Sequence, residues 1–223
     1  VAAGCVPKAD FYASDRILCN GNSTTFHDVS FNAPVVSRLW EFEGGVPATS
    51  TELNPIVNYS TEGWHTVKLT VTNENGSNTK IFENYLNVSK SDAIYDATYF
   101  ADFNDETSTK QDWIFYNKYP DDREWKWRSS NGYWNSGCVW LNSRYGPDLE
   151  TDIIISPAFD LALNLTDNVF FKYATTSYGV GEVDYTMSLK IYYSINCGDT
   201  WVYMNKLTGA ELISSYGGSS DFY

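Results

Sequence analysis

Apolar and polar residues alternate with a period of two along most of this chain. In "TVKLTVTN" Val67, Leu69 and Val71 fall on one side and Lys68, Thr70 and Thr72 on the other. That is the pattern of a strand with one buried face. Asn75-Gly76 within "NENGS" follows, a strong hairpin signal, and a second alternating run, "TKIFENYLNV", returns. Shorter runs of the same kind ("ADFYAS", "STTFHDVS", "SRLWEFEG", "PIVNYS") precede it at turn-punctuated intervals. No helical period is visible. The rhythm predicts an antiparallel β-sandwich over residues 1–90.

Ser89 to Asp92 are serine and charge, and alternation then resumes, so a second domain is expected over residues 95–223. "TYFADFNDE" reads as a first strand and turn. "TDIIISPAFDL" reads as a strand ended by Pro157 with a fresh start at Phe159. "NVFFKYATTS" and "YTMSLKIYYSI" alternate well, and "CGDTWVYMNKLTG" is a turn followed by a strand. "TGAELISSYGG" has room for one helical turn. Both halves are therefore expected to be all-β.

Composition agrees: 17% of the 223 residues are aromatic, and aromatic side chains suit a pleated, half-buried surface. The formal net charge of −13 would repel a phosphate backbone, which argues against a nucleic-acid partner. No apolar run is long enough to span a membrane. "VAAGCVPKAD" shows no basic and apolar leader, so the chain is either cytoplasmic or a mature or trimmed piece.

The four cysteines, Cys5, Cys19, Cys138 and Cys197, include no C-x-x-C pair, and the chain has two histidines. A zinc site of the usual Cys/His spacing cannot be assembled from them. The simplest reading is two disulfides in an oxidising compartment. Cys5–Cys19 would close 14 positions (19 − 5 = 14) and tie down the first strand, leaving Cys138–Cys197 as the second bridge. Two buried free thiols are the alternative. "AAGC" faintly resembles a lipid-attachment sequence, but Ala2 stands where a branched apolar residue is usual.

The stretch "LWEFEGGVPATSTELNPIVNYSTEGWHTVKLTVTNENGSNT" resembles a PKD domain, an immunoglobulin-like β-sandwich. Trp40, Phe42, Gly45, Asn54, Pro55, Tyr59, Gly63, Val67, Leu69, Val71, Asn73 and Gly76 occupy that family's places. Two departures stand out. The family's Gly-Asp-Gly is Glu43-Gly44-Gly45 here, and its tyrosine after Gly63 is displaced by Trp64-His65. The "GGVPATS" form is similar to that of PKD domains beside secreted pappalysin-like zinc metalloproteases of bacteria. Gly44-Gly45 is expected to be an architectural corner, since an anion cradle would need a following helix N-terminus.

The second half resembles a jelly-roll or MAM-like β-sandwich of secreted bacterial adhesins and protease C-terminal regions. The residues that carry this are Phe103, Asp152 to Leu161, Phe170 to Ala174 and, most specifically, "SINCGDTW", Ser194 to Trp201. The resemblance implies at least one further strand beyond Tyr223. It also implies a structural Ca²⁺ held by Asp102, Asp105 and Asp152, with Asp160 behind them, a hard cation being suited to oxygen ligands.

Catalytic signals are weak by comparison. His27 and His65 read as strand-surface or capping residues, and neither His-Glu-x-x-His nor Gly-x-Ser-x-Gly occurs. Five of the eight tryptophans lie between Trp113 and Trp140. Trp125 and Trp127 would share a strand face, and Tyr133 and Trp134 sit in the Gly/Asn-rich "SSNGYWNSG" loop. Indole faces stack on sugar rings, and they also fill all-β cores. The expected function is a non-catalytic accessory region of a secreted or cell-surface bacterial protein, with a zinc metalloprotease as parent and an extracellular protein or polysaccharide as partner. The alternative is a stand-alone adhesin or carbohydrate-binding module.

Overall fold

The structure, a computed structural model, describes residues 4–90, 94–96, 98–117, 124–132, 136–141, 151–160, 169–173, 176–177, 188–208, 211–212 and 215–216. The chain divides into two compact units, Val1–Asp92 with Tyr193–Val202, and Ala93–Tyr192 with Tyr203–Tyr223. The fold is nearly all β.

Alternation organises the first unit. Its strands are β1 (Phe11–Ala13), β2 (Ile17–Cys19), β3 (Ser23–Asp28), β4 (Ser37–Phe42), β5 (Gly45–Val46), β6 (Thr49–Ser50), β7 (Ile56–Tyr59), β8 (Gly63–Asn73) and β9 (Gly76–Ser89). They form a four-stranded sheet in the order β1-β3-β7-β5 and a five-stranded sheet in the order β2-β9-β8-β4-β6. β8 and β9 are the long hairpin expected at "NENGS", with Asn73 opposite Gly76. The Asn73 side chain accepts a hydrogen bond from Asn75 N, bracing the turn.

Every second residue of β8 from His65 to Val71 is buried. Trp40 and Phe42 on β4 share the inner face as period two requires, their rings stacked with centroids 5.7 Å apart. Phe11 meets Trp40 edge-on at 5.2 Å, and Phe26 packs on Phe42 at 4.8 Å. With Val57, Tyr59, Leu69 and Leu86 they make one continuous core. Each such large side chain contributes on the order of 2–3 kcal/mol by leaving water. The indole of Trp40 donates to Glu52 O at 2.9 Å, so its polar atom is satisfied inside the core.

The second unit holds β10 (Ile94–Tyr95), α1 (Glu106–Asp112), β11 (Ile114–Asn117), β12 (Lys126–Arg128), β13 (Cys138–Trp140), β14 (Asp152–Ile155), β15 (Ala158–Phe159) and β16 (Thr176–Ser177). β17 (Ser188–Tyr193), β18 (Val202–Thr208) and β19 (Ser215–Tyr216) follow, the β17–β18 connection belonging to the first unit. Among the described residues these strands pair two by two: β10 with β15, β11 with β14, β12 with β13, β16 with β19 and β17 with β18.

Three local expectations change. "TYFADFNDE" is not a strand: Tyr99 to Asp105 run without pairing into α1, a helix whose polar sequence carries no apolar period. Its start is set instead by Asp105, whose carboxylate accepts from Ser108 N at 2.8 Å. Of "NVFFKYATTS", Thr176-Ser177 form β16, while among the described residues Val169 to Tyr173 pair with no strand and Phe170 is exposed. The break after Pro157 resumes at Ala158, in β15.

Candidate functional site

The Gly44-Gly45 corner is filled by neighbours. A β-carbon on Gly45 would lie 2.6 Å from Val57 Cγ1 and 2.8 Å from Phe42 Cβ. One on Gly44, whose φ is +69°, would lie 2.8 Å from the imidazole of His65. His65 is buried rather than on the strand surface, because the missing side chain of Gly44 leaves room for its ring. Its Nε2–H donates to Thr61 O at 2.7 Å, and the ring tilts against Tyr59. Glu43, beside the corner, accepts from Thr66 N, which holds its carboxyl below the usual carboxylate range. His27 is half-buried, stacked on Tyr12 at 4.6 Å and hydrogen-bonded to Ser14 Oγ. Each of these side chains is engaged in architecture.

An open cleft of about 100 Å³ lies in the second unit, between the Tyr99–Phe103 segment and α1. Tyr99 and Trp113 form its aromatic wall, joined by a hydrogen bond from Trp113 Nε1 to the Tyr99 hydroxyl at 3.0 Å. Phe103 packs edge-on against Trp113 at 5.2 Å, and Tyr95 supports Tyr99 from behind at 4.4 Å. Asp102 and Asp112 also line the cleft, as does Phe100, which is 82% exposed. Asp112 hydrogen-bonds the Tyr95 hydroxyl and pushes its pKa up. Burial does the same to Tyr99. Aromatic walls with a few polar groups suit a ligand that is part apolar ring and part hydroxyl. The alternating "YFADF" carries this site in the sequence, where it reads as a strand.

The residues expected to bind ligand or metal fare differently. Trp125 and Trp127 are half-buried and spend their indole N–H groups inward, on Asp152 O at 3.2 Å and Phe103 O at 2.7 Å. Tyr133 and Trp134 lie outside the described residues. Asp102 accepts from both the backbone and side chain of Asn104, and Asp105 caps α1. Asp152 sits on β14 opposite Asn117. Among the described residues no three His, Cys, Asp or Glu side chains come together as a metal-binding group.

The pattern of the PKD domain family matches residues 8–85. The PKD1 domain of Vibrio cholerae metalloprotease PrtV is 30% identical over 39% of this chain and 100% of its own length, with a TM-score of 0.32. Through residues 8–85 this chain belongs to the PKD domain family. The PKD1 domain of Vibrio anguillarum Epp is 28% identical over 38% of this chain and 98% of its own, with a TM-score of 0.32. A carbohydrate-binding module of the β-sandwich superfamily is 18% identical over 62% of this chain and 54% of its own, with a TM-score of 0.36. No curated protein matches the chain.

The cysteines of the first unit correct the expected pairing. The Cys5 carbonyl accepts from Asn73 Nδ2 at 2.9 Å, at the turn end of the β8–β9 hairpin. Cys19 lies opposite Ser89, at the far end of β9. Those ends are thirteen strand steps apart (89 − 76 = 13), on the order of 40 Å. A disulfide requires Cα atoms within roughly 7 Å, so Cys5–Cys19 cannot form in this fold. The Cys138 thiol donates to Ser130 O within the β12–β13 hairpin, and Cys197 neighbours Cys19 instead.

Proposed function

We propose that this chain is a non-catalytic accessory region of a secreted or cell-surface bacterial protein, with the PKD domain as spacer and the second unit as docking surface for a glycan. The observation that carries the reading is the cleft in which Tyr99, Trp113 and the exposed Phe100 stand beside Asp102 and Asp112. Phe100 offers a flat apolar face to a sugar ring, and the carboxylates accept from its hydroxyls. In the PKD domain, by contrast, the glycines, histidines and core aromatics that chemistry would draw on are absorbed in packing. Tyr133 and Trp134 extend the same docking role in our reading, and Asp102, Asp105 and Asp152 are retained as a calcium proposal resting on resemblance.

A glycan array followed by calorimetric titration tests it. Phe100→Ala, a change at an exposed position, should weaken binding of the best polysaccharide at least tenfold, about 1.4 kcal/mol. Silence across neutral and acidic glycans would remove the docking role and leave the spacer. The resemblance around "GGVPATS" favours a zinc metalloprotease as parent. A reading frame with His-Glu-x-x-His ahead of Val1 would support that parent, and a bare signal peptide there would favour the stand-alone adhesin.

A further inference from the structure

The chain leaves the first unit after Asp92 and contributes to it again with Tyr193–Val202. That returning segment is a tightly hydrogen-bonded turn. Ser194 Oγ accepts from Asn196 N and Gly198 N, and Asn196 Oδ1 accepts from Thr200 N. Cys197 at φ +54° and Gly198 at φ +95° make the reversal, an arrangement that costs energy at a non-glycine position and fixes where the Cys197 side chain points.

The turn meets β2 and the bend after it at four points. Cys19 Sγ donates to Asn196 O at 3.3 Å. The Asn22 amide donates to both carboxylate oxygens of Asp199 at 3.3 Å. Ile17 Cγ2 lies 3.6 Å from where a β-carbon on Gly198 would be. The Cys19 thiol is also within hydrogen-bonding reach of the Cys197 side chain.

We propose that Cys19 and Cys197 form a disulfide that ties the Tyr193–Val202 turn covalently onto β2. Cys197 is exposed and is the thiol a soluble disulfide meets first. A low-molecular-weight disulfide such as oxidised glutathione supplies the oxidant. Its S–S bond breaks as Cys197 takes one half, and Cys19 then displaces that half. The sum is two protein thiols plus RSSR giving one protein disulfide plus two RSH, with both protons carried off on the released thiols. Burial, then Cys197 and the Asp199 charge, push the Cys19 thiol up to about 12, so it rests protonated and acts as the resolving thiol, giving up its proton only as it displaces the half held on Cys197. The bond closes 178 positions (197 − 19 = 178), a loop long enough that the entropy removed from the unfolded chain is large. It also keeps the turn attached to the PKD domain after a protease cuts the chain anywhere between the two cysteines.

The test uses the intact chain, reduced, reoxidised in a glutathione redox buffer, and alkylated without reductant. Tryptic digestion should yield Ile17–Arg38 cross-linked to Ile191–Lys206, with Cys5 and Cys138 alkylated. After limited proteolysis between the cysteines, the pieces should separate on a gel only when reductant is added. Oxidation should raise the melting midpoint by roughly 5–10 °C. That shift should vanish in Cys19→Ser and in Cys197→Ser. Alkylated Cys19 and Cys197 in the oxidised wild type, or a cross-link of either to Cys5, Cys138 or a second chain, would overturn the pairing. The wild-type peptide map reads this whether or not the variants fold.

Discussion

Val57 Cγ1 stands 2.6 Å from the position a β-carbon would take on Gly45, and Tyr59 Cζ stands 3.2 Å from it. The corner is closed by β7, the strand paired with β5 in the same sheet, not opened toward solvent. Gly45→Ala must push β7 outward or distort Phe42, and overpacking of this kind costs about 2–3 kcal/mol. Gly44→Ala faces the His65 ring and a φ of +69°, and is expected to cost about 1–2 kcal/mol from the backbone before any ring movement. Urea denaturation of both variants, with unchanged m-values, checks the order. A neutral Gly45→Ala would mean the corner is looser than these distances allow.

The first unit was legible because burial on one face of a strand imposes a period of two that survives in the sequence. Trp40, Phe42, Val67, Leu69 and Val71 are all where that period places them. What escaped has physical reasons. β2 is three residues long, and β5 and β6 two each, too short to show a period. α1 has one buried residue, Thr109, so no apolar stripe marks it. His65 reads as a surface residue until Gly44, 21 positions earlier (65 − 44 = 21), is seen to make room for it. The Cys19–Cys197 juxtaposition depends on a segment 178 positions away (197 − 19 = 178) returning to β2, and spacing alone favoured the nearer Cys5. The aromatic–acidic cleft was hidden because "YFADF" alternates like a strand while running unpaired.

Tyr59 carries a buried polar atom that the core leaves unsatisfied. Its ring is fully buried, and its hydroxyl has no hydrogen-bond partner among the described residues. A stranded buried hydroxyl costs on the order of 1–3 kcal/mol, so Tyr59→Phe, which keeps the ring and its contacts, should stabilise the domain by about 1 kcal/mol. Burial also pushes the folded-state pKa of this phenol well above 10.0. The sign follows from linkage: below the unfolded value, near 10, both states hold the proton and stability is unaffected. Above it the unfolded chain releases a proton that the folded one keeps, so stability falls as pH climbs. Denaturation at pH 8 and pH 11 should show a smaller alkaline loss for Tyr59→Phe than for wild type. Equal losses would mean that the hydroxyl reaches water.

Asp105 separates helix capping from metal binding. Its backbone is extended, at φ −116° and ψ 126°, and its carboxylate accepts from Ser108 N while its carbonyl accepts from Thr109 Oγ1 at 2.7 Å. The Ser108 hydrogen bonds hold the Asp105 carboxyl below its usual range. A depressed carboxylate contributes stability above the unfolded value, near 3.9, and that contribution fades as pH falls through the lowered folded value. Asparagine caps about as well as aspartate, whereas alanine does not. In EDTA, Asp105→Asn should therefore melt with the wild type and Asp105→Ala below both. A Ca²⁺ ion held through Asp102, Asp105 and Asp152 makes the opposite demand. The wild type would then gain melting temperature on adding Ca²⁺, and Asp105→Asn, which removes the charge but keeps the cap, would not. Differential scanning fluorimetry of the three proteins in EDTA and in millimolar Ca²⁺ reads both roles at once. With the cap as the role, the wild type and Asp105→Asn superimpose in both buffers.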